Sequence, residues 1–496
     1  MVQITILNGN LCELDGDRKI LVKLYNKFRI KHPEAWHIKM YNKTRWDGYV
    51  KYISEYGKFK IGLLPKIYNT LQEWGQKVKI IDRRPPLNYV AEVPKCLGNI
   101  TLYPRQIKAL ERLLFNKVGN TPFLIEAGNF SVGFGKSLLF AAIHQAFNRK
   151  LKTILLLNDA DLFNQFKREI PPLLPGEDIR FIQGSQAKFG NFNVAMVQSV
   201  SRNLKKYQGE LLNIDITLID EADIIDNKTY QRVIEHLWNS RVRIGLSGTL
   251  YMSKLKKDLV HNMNIMSFIG EKVDEVKLVE QMKHGRATPV VVKMVDTGIK
   301  SNGYLDYLTE YNKVVAENRE AYAVSFSRAL FNARYNRFPM LIVTKFIGHC
   351  EQLYEYYKKH APKSWRIEFV HHETKKRKDI LERFRTGGID ILIATTIIAR
   401  GKNFPTLKYL QNTSSMDSNE KSIQILGRLV RQHESKRVGF LDDLVFQGRY
   451  LARHGRHRDR YYRNENLKLL RVERRGGVWR LKKQARSRKR KKKEKV

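Results

Sequence analysis

Apolar runs and longer amphipathic stretches alternate along the chain from about residue 102 to residue 294. A short continuous apolar run predicts a buried strand, and the longer stretch that follows it predicts a helix. Repetition of this order is typical of a parallel sheet with helices on its faces. The strands predicted in this way are Phe123–Glu126, Thr153–Leu157, Asn193–Val197, Ile216–Ile219 and Val242–Gly245.

A second alternation of the same kind covers about residues 339–444, so the pattern predicts two similar α/β lobes. The segment 296–338 between them has a helical pattern, and we expect it to bridge the lobes. The strands predicted in the second lobe are Met340–Val343, Ile367–Val370, Ile389–Ile393 and Val438–Leu441.

The first 95 residues follow a different pattern. Helical spacing over Lys19–Phe28 and β-like runs near Tyr49–Ile53 and Lys77–Ile81 predict a small mixed α/β unit, which ends at Arg83-Arg-Pro-Pro86. A chain of 496 residues also predicts about three folded units at roughly 100 to 200 residues each. The predicted segments are 1–95 (accessory domain), 96–295 (first lobe), 296–338 (helical bridge), 339–450 (second lobe) and 451–496 (basic extension and tail).

The chain is strongly basic, with a formal net charge of +42. Residues 481–496 carry +9 of this charge, which leaves +33 on the rest, so the folded body is basic as well. We therefore expect it to bind the phosphate backbone of a nucleic acid, rather than an anionic membrane, with strong salt dependence. The basic tail is either a non-specific anchor or a nuclear localisation signal.

The sequence also argues against a membrane or secreted protein. It has no uninterrupted stretch of eighteen apolar residues, and its first residues lack the basic and apolar regions of a signal peptide. Its three cysteines are far apart and suit a reducing compartment. We expect a cytoplasmic protein.

A glycine-rich loop, Ser131-Val-Gly-Phe-Gly-Lys-Ser137, lies between a predicted strand and a predicted helix. Glycines such as Gly133 and Gly135 let backbone N–H groups approach phosphates, the Lys136 ammonium can reach the β/γ-phosphates, and the Ser137 hydroxyl can bind Mg²⁺. The strict pattern has glycine where this chain has Phe130. A merely structural turn is the alternative.

An acidic sequence, Asp220-Glu-Ala-Asp223, follows the predicted buried strand that ends at Ile219. Such a strand delivers its acids to the edge of a parallel sheet where ligands bind. We expect Asp220 to hold Mg²⁺ and Glu221 to orient or deprotonate an attacking water. Together with the glycine-rich loop, this acid box predicts a nucleoside-triphosphate hydrolase.

The order of motifs from Tyr103 to Arg431 resembles that of the superfamily-two helicases. In that family the glycine-rich loop is motif I and the acid box is motif II. The other segments that carry the resemblance are Tyr103-Pro-Arg-Gln-Ile107, Asn158–Gln165 (motif Ia), Val197-Gln-Ser-Val200 (the next DNA-facing motif), Leu246-Ser-Gly-Thr249 (motif III), Ile393-Ala-Thr-Thr396 through Gly401 and Pro405 (motif V) and Gln424–Arg431 (motif VI).

The resemblance implies two RecA-like parallel-sheet lobes, ATP hydrolysis with Mg²⁺, and a nucleic-acid track. It implies that Gln106 recognises adenine, and that Ser247 and Thr249 couple hydrolysis to lobe movement. Residues in its nucleic-acid-facing motifs are Asn164, Gln198, Ser199 and Thr395.

Motif VI places three polar residues at spacings of four and three. Gln424, Arg428 and Arg431 would share one face of a helix, so both guanidinium groups could point across a cleft between lobes. There they could neutralise charge on the γ-phosphoryl group during hydrolysis. With Lys136, Asp220 and Glu221, these three residues complete the predicted catalytic set.

Two residues depart from the family pattern, and the first domain suggests a subfamily. Phe130 and Asn403 replace residues common in motifs I and V, so nucleotide affinity or base preference could differ. Asn26-Lys-Phe28, Trp46-Asp-Gly48 and Gly57–Leu64 resemble the N-terminal module of phage branch-migration helicases of the UvsW type. That resemblance implies action on forks and junctions, and the host cytoplasm as the location if a phage encodes the chain.

Aromatic and basic residues are interleaved between Trp36 and Lys58, Trp46 and Tyr49 among them. This combination suits stacking on exposed bases beside neutralised phosphates, although strand packing explains it equally well. The segment Arg449–Arg480 is rich in arginine and suits a surface that follows the backbone.

The leading hypothesis is a monomeric ATP-dependent DNA helicase that remodels forked or junction DNA in replication, recombination or repair, together with proteins of those processes. An RNA helicase is an alternative because the acid box reads Asp-Glu-Ala-Asp, although motif VI begins with Gln424 where the RNA helicases of that type usually have histidine. The motor of a restriction-type nuclease is another, but no convincing acid and lysine cluster supports it. The third is a binding or annealing protein in which ATP is only a switch.

Overall fold

The computed structural model describes residues 2–33, 35, 46–87, 89–185, 188–251, 258–396, 404–475 and 478–482. The chain forms two compact units, Met1–Val276 and Lys277–Val496. Within the described ranges, no helix combines the length and apolar character needed to cross a lipid bilayer.

The first unit begins with a small mixed sheet in the order β5-β2-β1-β6. Strands β1 and β6 are parallel and the other neighbours are antiparallel. Helix α1 starts after Asp17, whose carboxylate accepts a hydrogen bond from the Lys19 backbone N–H at 2.6 Å, a typical N-cap. The elements are β1 Val2–Ile6, β2 Leu11–Asp15, α1 Arg18–Lys27, β3 Arg29–Lys31, β4 Tyr49–Lys51, β5 Lys58–Lys60, a 3₁₀ turn Ile61–Leu63, α2 Leu64–Glu73 and β6 Val78–Asp82.

This N-terminal sheet shares a hydrophobic core with the larger sheet that follows it, because its buried side chains pack with Phe123, Ile125 and Met263. Polar contacts reinforce the junction. The Tyr52 hydroxyl donates to Asn264 Oδ1 at 2.9 Å. The buried Arg243 guanidinium donates to the carbonyl of Gly9 at 2.8 Å and to Asn10 Oδ1 at 2.7 Å.

The larger sheet of the first unit is parallel throughout, in the order β13-β14-β12-β15-β16-β11-β17. Its central strands are buried along their whole length, as expected when helices cover both faces. The elements are β7 Cys96–Leu97, β8 Ile100–Thr101, α3 Pro104–Leu114, β9 Lys117–Val118, β10 Thr121–Pro122, β11 Leu124–Phe130, α4 Lys136–Ala146, β12 Thr153–Leu157, α5 Ala160–Leu173, β13 Ile179–Ile182, β14 Phe192–Met196, α6 Val197–Arg202, α7 Leu204–Leu212, β15 Ile216–Asp220, a 3₁₀ turn Ala222–Ile224, α8 Lys228–Ile234, β16 Val242–Ser247, α9 Leu259–Ile269 and β17 Lys272–Val276.

The second unit has its own sheet, in the order β20-β21-β19-β22-β23-β18-β24-β25. Its strands are parallel apart from β25, which forms an antiparallel hairpin with β24. The elements are α10 Leu278–Lys283, β18 Val290–Lys300, α11 Tyr307–Tyr311, a π-helix Asn312–Ala316, α12 Arg319–Ala333, β19 Met340–Thr344, α13 Ile347–His360, β20 Ile367–Val370, α14 Arg377–Arg385, β21 Ile391–Thr395, β22 Tyr409–Asn412, α15 Asn419–Leu429, β23 Gly439–Gln447, α16 Leu451–Asn464, β24 Leu469–Arg475 and β25 Val478–Leu481.

The structure confirms the predicted fold class of two parallel α/β sheets with a small N-terminal α/β sheet. The predicted strands are present, with ends that differ by up to several residues. The predicted boundary at 295/296 falls inside β18, which pairs with β23 and β24. Residues from 451 onward contribute α16, β24 and β25 to the second unit, and the tail 483–496 lies outside the described residues.

Candidate functional site

The glycine-rich loop connects the buried strand β11 to helix α4. Gly133 and Gly135 both have φ of +89°, in the left-handed region that side chains disfavour, and Gly135 is the N-cap of α4. A loop of this form at a helix N-terminus offers backbone N–H groups to an anion. Its backbone therefore suits the predicted phosphate-binding role.

Phe130 is the last residue of β11 and lies outside the loop itself. Its ring is fully buried and stacks on Phe134 with centroids 4.7 Å apart, while its backbone pairs with Val276. The aromatic ring thus fills the space beneath the loop, as part of the hydrophobic core. An effect of Phe130 on nucleotide affinity stays a prediction.

Gln106 holds the loop from the first turn of α3. Its side-chain oxygen accepts a hydrogen bond from the Tyr103 N–H at 3.3 Å, and its side-chain nitrogen donates to the Phe134 carbonyl at 2.8 Å. The Tyr103 hydroxyl donates to the same carbonyl at 3.3 Å. Gln106 therefore braces the loop, and its recognition of adenine stays a prediction.

The loop lysine and the acid box meet at the carboxyl ends of β11 and β15. Lys136 Nζ lies 2.9 Å from Asp220 Oδ1, in a site where the lysine side chain is 21% exposed and the aspartate 3%. Burial lowers the pKa of Lys136, but the charges of Asp220, Glu221 and Asp223 outweigh burial and raise the pKa above its usual value. Lys136 therefore stays cationic across the physiological pH range.

Glu221 follows Asp220 with φ of +52° and ψ of +47°. This left-handed conformation costs a non-glycine residue about 1 to 3 kcal/mol and is often found at functional sites. The residue lies between β15 and the 3₁₀ turn that begins at Ala222. The backbone at the sheet edge thus has a feature that strand packing alone does not require.

The donor chemistry of this edge fits Mg²⁺. A serine hydroxyl at Ser137 and a carboxylate at Asp220 are hard oxygen ligands, and magnesium is usually held by one or two such protein groups together with phosphates and water. Among the described residues, no group of three or more His, Cys, Asp and Glu side chains forms a dedicated metal site. Both residues therefore remain predicted Mg²⁺ ligands.

The acid box is linked to the segment after β16 by a buried chain of hydrogen bonds. The Ser247 hydroxyl donates to Asp223 Oδ1 at 2.6 Å. The Thr249 backbone N–H donates to Ser247 Oγ, and the two hydroxyl oxygens lie 3.2 Å apart. The structure thus brings together Ser247 and Thr249, the two predicted coupling residues, with the acid box.

Sequence reasoning missed Asn129, which ties the strand before the loop to the same segment. Asn129 Oδ1 accepts from the Leu250 N–H at 3.0 Å, and Asn129 Nδ2 donates to Glu275 Oε1 at 2.9 Å. The available signal was a polar residue one position before the end of β11, in which Glu126 is the other polar residue.

The predicted nucleic-acid contacts of the first unit have different surroundings. Asn164 is exposed on α5. Gln198 Nε2 donates to the Asn158 carbonyl at 2.9 Å, and Ser199 Oγ accepts from the Gly184 N–H at 2.9 Å. Gln198 and Ser199 therefore support neighbouring backbone segments as they stand.

The aromatic candidates near the N-terminus are only partly described. Trp46 Nε1 donates to the Tyr49 carbonyl at 2.9 Å, and the Arg29 guanidinium lies 4.9 Å from the centre of the Tyr49 ring. The other aromatic and basic residues from 36 to 45 lie outside the described residues.

In the second unit, Thr395 is the buried last residue of β21 and pairs with Thr344. Motif VI begins on α15, whose N-cap is Ser418. Gly401 and Asn403 of motif V lie outside the described residues.

The prediction that Arg431 shares a helical face with Gln424 and Arg428 is wrong. Helix α15 ends at Leu429, so Gln424 and Arg428 are helical and Arg431 lies beyond the helix. The backbone carbonyls just after the helix end, those of Val430 and Arg431, are bonded by donors from outside the helix. The Thr288 N–H donates to the Val430 carbonyl at 2.8 Å, and the Thr288 hydroxyl donates to the Arg431 carbonyl at 2.9 Å.

Lys436 completes this arrangement of donors. Its Nζ donates to the Leu429 carbonyl at 3.0 Å, although the side chain is almost fully buried. Burial, with a smaller contribution from Arg431, lowers the pKa of Lys436 to about 8. Thr288 and Lys436 thus fix the backbone that carries Arg431, and sequence reasoning missed both.

Comparison with known proteins adds two domain matches. Residues 99–252 match the model of the type III restriction enzyme, res subunit, and residues 325–433 match the helicase conserved C-terminal domain. The motif I, II and III segments lie in the first match, and motif VI lies wholly in the second.

Relatives in sequence are distant. The chain is 21% identical to the ATP-dependent DNA helicase uvsW of Enterobacteria phage T4 over 81% of this chain and 82% of that protein. It is 23% identical to the competence protein ComFA of Bacillus subtilis over 61% of this chain. Matches to some relatives cover only 60 to 65% of their length.

A solved structure of Saccharomyces cerevisiae Dbp5, bound to RNA and ADP BeF3, is similar in fold, with a TM-score of 0.51 and 16% identity. The similarity covers 77% of this chain and 96% of the Dbp5 chain. The chain thus has a match to the restriction-enzyme res subunit followed by a helicase conserved C-terminal domain, on two parallel sheets, and in its motif order it is similar to the superfamily-two helicases.

Proposed function

We propose that this chain is an ATP-dependent DNA helicase that unwinds or branch-migrates forked and junction DNA. The observation that carries the proposal is the contact between Lys136 Nζ and Asp220 Oδ1 at 2.9 Å. It joins the glycine-rich loop to the acid box at one edge of a parallel sheet, where ligands of such sheets bind. The similarity to the phage T4 DNA helicase over most of both chains supports DNA as the substrate.

In the ATPase step, each site residue of the first unit has a role that follows from the chemistry of its side chain. Lys136 binds the β- and γ-phosphates of ATP, and Ser137 and Asp220 hold Mg²⁺. Bound Mg²⁺ would neutralise charge on the phosphates. Glu221 orients the attacking water and accepts its proton, a role that needs a carboxylate held in a fixed place. Gln106 and Tyr103 keep the Phe134 carbonyl, and with it the loop, in position.

Gln424, Arg428 and Arg431 of the second unit complete the proposed catalytic set. The two arginines stabilise negative charge on the γ-phosphoryl group during transfer. Because Arg431 lies beyond helix α15, its position depends on the donors that hold its backbone, Thr288 above all. Ser247, which donates to Asp223, and Thr249, which contacts Ser247, couple hydrolysis to movement of the lobes.

A nucleic-acid track completes the proposal. Asn164, Gln198 and Ser199 in the first unit, Thr395 in the second, and Trp46 with Tyr49 near the N-terminus are its proposed contacts. For the exposed Asn164 the surroundings permit direct contact. For Gln198 and Ser199 the support is indirect, because their hydrogen bonds shape the loops of the track.

The experiment that tests this function is ATP-dependent strand release from a labelled synthetic replication fork. A linear partial duplex DNA and an RNA duplex of the same sequence serve as comparisons, and Lys136→Ala is the inactive control. We expect release from the fork to exceed release from the linear duplex, with hydrolysis in Lys136→Ala reduced at least about 100-fold because a charged phosphate ligand is lost.

Each other outcome selects another function. Release from RNA alone would establish the alternative favoured by the Asp220-Glu-Ala-Asp223 sequence, an RNA helicase. ATP binding without turnover, together with unchanged strand annealing, would establish ATP as a switch. Hydrolysis without strand release from any substrate would contradict unwinding and leave translocation.

A further inference from the structure

Helix α16 of the second unit, Leu451–Asn464, has two sharply different faces. The inward face carries the buried residues Leu451, His454, Gly455, Arg458, Tyr461 and Tyr462. The outward face carries four exposed arginines, which we name the arginine face: Arg453, Arg456, Arg460 and Arg463.

The spacing of three, four and three residues keeps these arginines in line. At 3.6 residues per turn they fall within about 80° of the helix circumference, and ten residues span about 15 Å. Phosphates of one strand of a DNA duplex advance by about 3.4 Å per base pair along the axis. The arginine face therefore matches about four successive phosphates in length.

The arginines on the two faces of the helix differ in their ion pairs. The buried Arg458 is neutralised by Asp443 at 2.7 Å. On the outward face, Arg463 pairs with Asp459 at 3.0 Å, and that carboxylate is shared with Arg471 at 3.0 Å. Arg453, Arg456 and Arg460 form no ion pair with any described residue.

This arrangement is unfavourable for the helix by itself. Like charges three or four residues apart destabilise a helix by about 0.2 to 0.5 kcal/mol for each pair, and the arginine face contains three such pairs. A polyanion along the face would turn this repulsion into attraction. The charge pattern thus points to a phosphate-bearing ligand.

Within the described helix α16 no exposed aromatic ring lies among the arginines; the partly exposed Tyr450 precedes the helix, with its ring 5.4 Å from the Arg453 guanidinium. The helix surface therefore favours a ligand that offers phosphates over one that offers bases for stacking. Proteins that bind single strands stack bases on aromatic side chains. Here the Tyr461 hydroxyl donates to Asp417 at 2.9 Å and the Tyr462 hydroxyl donates to Asp443 at 2.8 Å, so both rings point inward. We propose that the arginine face binds the phosphate backbone of a duplex arm, independently of sequence, a step that rests on the proposed nucleic-acid substrate.

The test compares two full-length variants with the same loss of charge. The first replaces Arg453, Arg456, Arg460 and Arg463 by Gln. The control replaces exposed cations that precede β19 and β20, at the amino ends of the parallel strands: Arg334, Lys358, Lys359 and Lys363. Binding of a labelled blunt DNA duplex is measured by fluorescence anisotropy from 50 to 300 mM NaCl.

We expect the slope of log K against log salt to fall by about three to four in the first variant, because each phosphate contact contributes about 0.9. The control slope should change by less than about one. Half-variants, Arg453→Gln/Arg456→Gln and Arg460→Gln/Arg463→Gln, should each give about half the change, and thermal melting checks folding. An unchanged slope in the first variant, or equal falls in both, would overturn the proposal.

Two further measurements separate this inference from the proposed function. A slope that falls for a single-stranded oligonucleotide and not for the duplex would assign the face to single strands and overturn a duplex site. Hydrolysis stimulated by single-stranded DNA should persist in both variants. If the unmodified protein shows no stimulated hydrolysis, the proposed function fails, while the salt slopes still decide the role of the arginine face.

Discussion

Both parallel sheets contain buried carboxylates, but they hold them in opposite ways. In the first unit, Asp220 ends strand β15 and faces the partly exposed ammonium of Lys136 at 2.9 Å. In the second unit, Asp443 lies in the middle of β23 and is surrounded. Arg458 contacts it at 2.7 Å, the Tyr462 hydroxyl donates at 2.8 Å and Asn412 Nδ2 donates at 3.0 Å.

The difference shows that a carboxylate at the end of a strand, such as Asp220, can face a ligand site, whereas one in the middle of a strand, such as Asp443, stabilises the fold. Burial lowers the pKa of Arg458, but Asp443 outweighs burial and raises it, and burial raises the pKa of Tyr462 well above its usual value. Arg458 therefore stays cationic, and Tyr462 stays protonated as a donor to Asp443. Asp220, at an open edge, keeps a cation that an incoming phosphate can share.

Arg458→Met should have the largest effect, and the effect should be on stability. Removing one partner of a buried ion pair leaves an uncompensated charge and costs about 3 to 5 kcal/mol. Urea denaturation would measure the free energy of unfolding. The matched control is Arg453→Met on the exposed face of the same helix, which should stay within about 0.5 kcal/mol of the unmodified protein. Equal losses of unfolding free energy in Arg458→Met and Arg453→Met would contradict a structural role for the Arg458–Asp443 ion pair.

Glu221→Gln should affect rate instead of stability. Loss of a general base reduces turnover by about 10²- to 10⁴-fold, whereas the amide keeps the size of the side chain. Steady-state ATP hydrolysis with saturating nucleic acid gives kcat, and melting temperature gives stability. Glu111→Gln, an exposed acid on α3, is the control. A large loss of stability with kcat unchanged would make Glu221 a structural residue like Asp443.

Tyr462→Phe should give the smallest change. It removes one hydrogen bond to Asp443 but leaves Arg458 and Asn412 in place, so we expect a loss of about 1 to 3 kcal/mol. The same denaturation assay, with the exposed Tyr56→Phe as the reference, would measure it. No change in Tyr462→Phe would mean that Asp443 is held by its charge partner alone.

Local pattern predicted those features that depend on neighbours in sequence. The apolar runs located nine strands of the two large sheets but missed β13, β17, β18, β22, β24 and β25. The loop and the acid box placed Lys136 after β11 and Asp220 at the end of β15, where the two side chains meet. The predicted strand Val438–Leu441 stopped before two acids, whereas β23 continues through Asp442 and Asp443 to Gln447. The acids are tolerated because Arg328 and Arg458 neutralise them, and Arg328 is 114 residues away from Asp442.

The missed parts of the candidate site have the same origin. Asn129 bonds Leu250 and Glu275, which are 121 and 146 residues away. The end of α15 before Arg431 depends on Thr288, which is 143 residues away from it. Helical spacing cannot supply such partners, so it continued the motif VI helix for too long.

The junction around Arg243 limits how freely this protein can be taken apart. Its guanidinium is buried and bound by the Gly9 carbonyl and Asn10, while Tyr52 reaches Asn264 and the two sheets share one core. A chain shortened to begin at residue 96 would expose that core, and the Arg243 guanidinium would lose its partners Gly9 and Asn10. The N-terminal sheet and the larger sheet of the first unit therefore pack as one body, and exchanging only one of them with a relative's counterpart would separate side chains that share a core.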